Sequence, residues 1–254
     1  MSLLLMGVLL AQLPPPNSTG VAMGHLHVIG KDMDAHKKFW VEAMGGTPIE
    51  KGKMGVYKFP DVIVLVSKGE PKMGSVGTSV NHLGFKVKDV TAAVARVKTA
   101  GFQVLSENPT THQAMVLSPD DVKIELSEDK SMTVPIAHHH IHFYNGSVDD
   151  TKAWYVKTFG AMPGKRGNFE AADLPGVNLS FSKSDTPAAG TKGSAIDHIG
   201  FEIKGLEAFM KKLEADGVKI NIPYRNVPSL GIAIAFITDP WGSYIELTEG
   251  LNKW

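Results

Sequence analysis

Four histidines crowd into AHHHIHFYN, residues 137–145, near the middle of the chain. Imidazole is the side chain best suited to bind a metal ion or carry a proton near neutral pH. So dense a run reads as an affinity tag, an adventitious metal trap, or a strand in which one histidine matters and the others are bystanders. Tags sit at termini, and this run flows into Ile141, Phe143 and Tyr144. Spacing selects among the histidines. GHLHV (24–28), NHLGF (81–85), HHIHF (139–143) and DHIGF (197–201) align on His25, His82, His140 and His198, which lie 57, 58 and 58 residues apart. Histidines scattered through a core would not keep that interval, so the chain is read as a fourfold repeat. His140 is the in-register residue, His142 is its same-face neighbour, and His138 and His139 flank it.

The elements that must position these histidines repeat with them. An amphipathic helix follows each. In DVTAAVARVKTAGF, Val90, Val94 and Val97 line one face, Asp89 suits the N-cap and Gly101 the C-terminal stop. Leu206, Phe209, Met210 and Leu213 form the stripe of the fourth unit, before Gly217. Phe39, Trp40 and Met44 precede Gly45 in the first unit, and Trp154, Tyr155 and Phe159 precede Gly160 in the third; these aromatics are expected in the core. Short β-rich runs then follow, among them VYKFP, VIVLVSK, AMVLS, VKIELSE, IAIAFIT and SYIELTE. Each unit therefore reads βαβββ. Side chains alternate faces along a strand. His198 and Gly200 face away from Ile199 and Phe201, and Glu246 faces away from Ile245 and Leu247; Glu125 does the same between Ile124 and Leu126. The apolar faces should pack on the helices, leaving histidines and glutamates on the opposite, concave face.

Composition bounds the partners. The 254 residues are 43% hydrophobic and 20% charged, enough for a sizeable core. Formal net charge is zero, so there is no basic field for a phosphate backbone and no nucleic-acid partner is expected. A small-molecule ligand fits better, on a monomer or homodimer. The absence of cysteine excludes disulfides, thiolate metal sites and a cysteine nucleophile. MSLLLMGVLLAQ is apolar but too short to span a bilayer, and it resembles a secretory h-region without the positive n-region. Export follows if it is a signal segment, a cytoplasmic location if it is not. Residues 1–20, including LPPPNSTG as an extended linker, are expected to stand outside the fold.

The repeat resembles the vicinal oxygen chelate superfamily, which includes glyoxalase I, fosfomycin- and bleomycin-resistance proteins, methylmalonyl-CoA epimerase and type I extradiol dioxygenases. FITDPWGSYIELTEGL (236–251) is similar to the family's closing "DPxG…IEL" hairpin; SPDDVKIELSED (118–129) is an eroded counterpart, with Asp121 at the turn-glycine position. The resemblance implies an α+β fold: four βαβββ modules forming two cup-shaped mixed β-sheet domains with helices outside, over residues 21–130 and 135–250. It implies a divalent metal inside the cup. Carried over, the second half supplies His140, His198 and Glu246, and the first supplies His25, His82 and Glu125; pairing across halves would exchange His25 and His140. Ser180 and the aliphatic VIVLV run offer no fourth ligand, unlike the four-ligand glyoxalase I site.

Two imidazoles and one carboxylate leave metal positions open for a substrate with neighbouring oxygens. Fe, Mn, Ni, Co or Zn would then act as a Lewis acid in lyase or isomerase chemistry, or bind dioxygen. Arg225, Tyr224 and His142 are the candidate substrate contacts; His112 is expected on a surface loop. Departures matter: an extradiol dioxygenase wants tyrosine where Phe236 stands and a histidine shortly before it, and glyoxalase I wants glutamate near Ser180. No catalytic acid or base is assigned. The alternative is a metal-free binding protein of the bleomycin-resistance kind.

Overall fold

The computed structural model describes residues 13–254. The apolar run read as a possible export signal lies, through residue 12, outside the described residues. Unit one comprises β1 (Val21–Gly30), α1 (Met33–Lys37, continued by a wide-turn stretch Lys38–Ala43), β2 (Thr47–Lys51), β3 (Met54–Phe59) and β4 (Val62–Lys68). Unit two comprises β5 (Val80–Val87), α2 (Val90–Thr99), β6 (Val104–Asn108), β7 (Gln113–Leu117) and β8 (Lys123–Glu128). Unit three comprises β9 (Ile136–Asn145), α3 (Val148–Phe159), β10 (Met162–Arg166), β11 (Phe169–Leu174) and β12 (Val177–Lys183). Unit four comprises β13 (Ile196–Ile203), α4 (Leu206–Ala215), β14 (Ile220–Val227), β15 (Ile232–Thr238) and β16 (Tyr244–Glu249). Among the described residues no helix is long and apolar enough to cross a membrane.

Local rules hold at the helices. Asp89 Oδ1 accepts from the Ala92 amide at 2.9 Å, capping α2. Val90, Val94 and Val97 are buried on its inner face, as are Leu206, Phe209, Met210 and Leu213 on α4.

The strands form two mixed eight-stranded sheets. Their order departs from a pairing of neighbouring units. The first sheet runs β14-β15-β16-β13-β1-β4-β3-β2, joining unit one to unit four; the second runs β10-β11-β12-β9-β5-β8-β7-β6, joining unit three to unit two. The central pairs β1–β13 and β5–β9 are antiparallel. The cups therefore do not follow the division into residues 21–130 and 135–250.

The helical layer does follow the halves. Phe39 packs edge-on to Phe102 at 5.1 Å, and Arg96 Nε donates to the Ala43 carbonyl at 3.2 Å, linking units one and two. Phe159 stacks on Phe209 and meets Phe201, linking units three and four. Each closing turn reaches the helix of the preceding unit: Tyr155 Oη donates to Asp239 Oδ2 at 2.9 Å, and His36 Nε2 lies 3.0 Å from Asp120 Oδ2. Sheets thus cross between halves while helices stay within them, and one apolar core draws on all four units.

Two expectations are corrected in part here. Residues 13–20 belong to the fold: Asn17 Nδ2 donates to the carbonyls of Phe159 and Gly160, and Thr19 Oγ1 donates to that of Phe159. They satisfy carbonyls that the end of α3 leaves open. Asp121 does replace a turn glycine, but Asp120 shares the burden, and both adopt left-handed backbone at φ 59° and 60°.

Candidate metal centres in two cups

Register across three strands builds each site. In the first sheet His25 pairs with Gly200, and Gly200 pairs with Glu246. His27 and His198 form the next row. In the second sheet His140 pairs with Gly84, which pairs with Glu125, and His142 faces His82. The glycines are required by close approach. A Cβ on Gly200 would fall inside the His25 ring, and one on Gly84 inside the His140 ring.

The first cup therefore gathers His25, His27, His198 and Glu246. Glu246 Oε2 lies 3.0 Å from His25 Nε2 and 2.9 Å from His198 Nε2. His198 is oriented from behind by Asp197, whose Oδ1 is 2.5 Å from Nδ1. His27 stacks beside His198, ring centres 4.4 Å apart, and its Nε2 hydrogen-bonds Ser67 Oγ.

The second cup gathers His82, His140, His142 and Glu125. Glu125 Oε2 lies 3.2 Å from His82 Nε2 and 3.5 Å from His140 Nε2. Its other oxygen accepts from Gln113 Nε2 and Ser127 Oγ, both at 3.1 Å. Asn81 stands where Asp197 stands in the first cup, its Oδ1 3.0 Å from His82 Nδ1. His142 Nε2 is 2.8 Å from Ser182 Oγ.

Electrostatics suit a cation. Burial acts to raise the Glu246 carboxyl, but hydrogen bonds with His198 and His25 outweigh it and hold the group well below the usual carboxylate range. Glu125 behaves likewise, with His140, His82 and Arg166 prevailing over burial. Burial lowers His25 and His82 despite their carboxylate partners, and pushes His140 down to about 3 and His142 to about 2. His198 goes the other way: Asp197 and Glu246 together overcome its burial and raise it. The lowered imidazoles beside an ionised carboxylate suit a divalent ion, whose ligands must be deprotonated. His140 Nε2 is buried without a hydrogen-bond partner although it faces the carboxylate. In each cup the four ligand atoms lie within 4.8 Å of one another. The donor set fits a divalent ion in both places.

The sequence-level grouping is revised accordingly. His140 does not join His198 and Glu246; it exchanges places with His25, so that His25, His198 and Glu246 meet, and His82, His140 and Glu125 meet. His142 lies in the second cup. Tyr224 is not brought to either cup: its ring packs toward the main core and its hydroxyl is 3.3 Å from Asn226 Oδ1. Arg225 is exposed on β14, opposite Ile234. His138 turns to the Gly176 carbonyl, and His112 sits on an exposed turn at φ 52°. Sequence reasoning missed His27, Arg166, Asp197 and Asn81. The first had a signal, because GHLHV and HHIHF share the pattern His-x-His.

A family model described as Glyoxalase/Bleomycin resistance protein/Dioxygenase superfamily matches residues 22–126 and again 137–247. A probable lactoylglutathione lyase of Vibrio parahaemolyticus is 29% identical over 118 residues, covering 39% of this chain and 84% of the relative. Its Vibrio cholerae counterpart is 27% identical over the same length and coverage. Among solved structures, glyoxalase I from Zea mays superposes with a TM-score of 0.73 at 17% identity, over 92% of this chain and 94% of that one. A putative dioxygenase from Bacillus subtilis gives 0.71 at 12% identity, over 94% and 86%. These structures share the fold. With both halves matched by one family model, the chain belongs to the glyoxalase/bleomycin resistance protein/dioxygenase superfamily as a tandem, two-cup member.

Proposed function

We propose that the protein is a metal-dependent enzyme acting on a small substrate with two neighbouring oxygens. One observation carries this reading: in each cup two imidazoles and one carboxylate converge on a single point, the Oε2 atom of Glu246 or of Glu125. His25, His198 and Glu246 would hold one divalent ion; His82, His140 and Glu125 would hold a second. A bound ion would act as a Lewis acid on the substrate oxygens, in lyase or isomerase chemistry or in dioxygenation. Asp197 fixes the tautomer of His198 by accepting its Nδ1 proton in a hydrogen bond. His27 and His142, each anchored to a serine hydroxyl, are placed beside the ligand set as a fourth donor or as carriers of the substrate's proton. Phe236 stands edge-on to His198 at 5.3 Å, so the wall there supplies no proton. Relatives named as probable lactoylglutathione lyases favour the lyase branch.

A metal-free binding module is the second reading. It draws on the hydrogen bonds by which Glu246 Oε2 meets the Nε2 atoms of both histidines. Metal analysis by mass spectrometry on untagged protein separates the two. The enzyme reading expects up to two equivalents per chain, with one lost in Glu246→Ala and one in Glu125→Ala. Wild-type protein that takes up no divalent ion, yet binds small organic ligands, overturns it.

A further inference from the structure

The second cup holds a cation that its twin lacks. Arg166, the last residue of β10, reaches over the concave face: Nε donates to Ser180 Oγ at 2.8 Å, Nη1 stands 3.5 Å from Glu125 Oε1 and Nη2 is 3.4 Å from His142 Nδ1. Guanidinium carries five N–H donors in a fixed fork, and only one is used here in a short bond. The side chain is 16% exposed, so the group is not sealed from solvent. Phe169 supports the group, its ring centre 5.4 Å from Cζ.

The first cup is different at each matching place. Lys51 ends β2 as Arg166 ends β10, but its ammonium lies over the Trp254 ring at 4.9 Å. Leu65 faces His27 where Ser180 faces His142. Behind the histidine on the central strand, the first cup has the carboxylate of Asp197; the second has the neutral Asn81, with Lys123 Nζ 3.4 Å from its Oδ1. Lys192 Nζ lies over the Tyr244 ring at 4.5 Å on the first cup's side, as Lys123 lies near Asn81 in the second. With a divalent ion in each, the second cup is the more positive, because it has Arg166 and lacks the Asp197 carboxylate.

We infer that Arg166 makes the second cup selective for an anion: a small chelating substrate whose oxygen is joined to a carboxylate, as in a 2-oxo or 2-hydroxy acid, while the first cup takes uncharged ligands. The inference rests on the metal-cup reading above. Nη1 stands 3.5 Å from Glu125 Oε1, so an anionic group meeting the fork lies beside the carboxylate that would hold the ion. A planar fork matches a carboxylate in a way that a lysine cannot.

The test uses the full chain carrying Glu246→Ala, or Glu246→Gln should the alanine variant not fold, so that only the second cup is intact. Manganese content is measured first, then 2-oxobutanoate and uncharged hydroxyacetone are titrated by calorimetry. Arg166→Gln is expected to leave manganese bound, weaken 2-oxobutanoate at least about tenfold and leave hydroxyacetone unchanged, with Arg166→Lys in between. Equal 2-oxobutanoate affinity with and without Arg166 overturns the inference, and so does a parallel loss of both ligands. Failure of the second cup to take manganese overturns the metal reading for that cup. The anion site is then judged on the metal-free protein, where 2-oxobutanoate binding that depends on Arg166 supports it and absence of such binding overturns it.

Discussion

The two cups are built from the same parts and surrounded by different ones. Around the first, Val56, Ile63, Leu65, Ile232, Ile234 and Leu251 make a second apolar cluster, with Leu13, Phe236 and Trp254 packed against it. Trp254 is tied down by its indole N–H donating to the Leu230 carbonyl at 3.2 Å. Around the second, Ser180 and Gln113 stand where Leu65 and Ile234 stand in the first, and Arg166 stands where Lys51 stands. Glu125 Oε1 is held by Gln113 and Ser127, with Oε2 facing the histidines, while the hydrogen bonds of Glu246 both fall on Oε2. A duplicated ligand set can thus be kept while its surroundings, and with them the charge and hydration of a bound substrate, diverge.

The supports behind the histidines give the sharpest way to probe that difference. Asp197→Asn converts the first cup's support into the second's and should weaken metal binding there by about 10- to 100-fold; Asn81→Asp should strengthen the second cup. Metal titration of each variant with the other cup's glutamate removed reads the effect, and unchanged affinities would show that the two supports are equivalent. Next in size are the glycines. Gly200→Ala should displace His25 and cost about 1–3 kcal/mol by overpacking, with metal lost from the first cup alone. Gly84→Ala should mirror it in the second. Denaturant melts with metal analysis check both.

Acidity separates His198 from the other histidines of both cups, which burial lowers. His140 and His142 are pushed down to about 3 and 2 by burial. The unfolded chain therefore takes up those protons first, and stability falls as pH drops below about 6.5. His198 is raised, so its contribution is complete below about 6.5 and is lost as pH climbs through its folded value. In chelator-treated protein, His140→Gln should flatten the loss between pH 7 and 5, and His198→Gln should steepen it. Each group can change the slope by up to about 1.4 kcal/mol per pH unit. Thermal melts across that range suffice; identical slopes in both variants would contradict the opposite shifts. The smallest effect concerns the eroded turn. Asp121→Gly relieves one left-handed residue and should stabilise by up to about 1 kcal/mol, raising the melting temperature without altering metal content.

Much of this was legible in the chain. The interval between His25, His82, His140 and His198 marks the repeat, and alternation places Glu125 and Glu246 on the histidine face. The glycines of NHLGF and DHIGF also announce that something must lie across them. The stripes of α2 and α4 and the cap at Asp89 follow from local patterning. Arg166 was not legible, because its place over the cup depends on long-range contacts with Ser180, Glu125 and His142. Tyr224 was misplaced for a related reason: one residue of register decides which face of β14 a ring occupies, and β14 pairs with β15 through an irregular register.

What the sequence determined by itself is the inventory: four modules, two opening histidines of each kind and two closing glutamates. Units one and three carry His-x-His; units two and four carry His-x-Gly. Either pairing, within halves or across them, sets a ring against a glycine, so residue types are indifferent between the two. Only the tertiary structure chose. Backbone ladders form between whichever open strand edges come within about 4.8 Å, and with the helices packed inside each half, β1 meets β13 and β5 meets β9. That long-range choice put His25 with His198 and His140 with His82, and no local pattern could carry it.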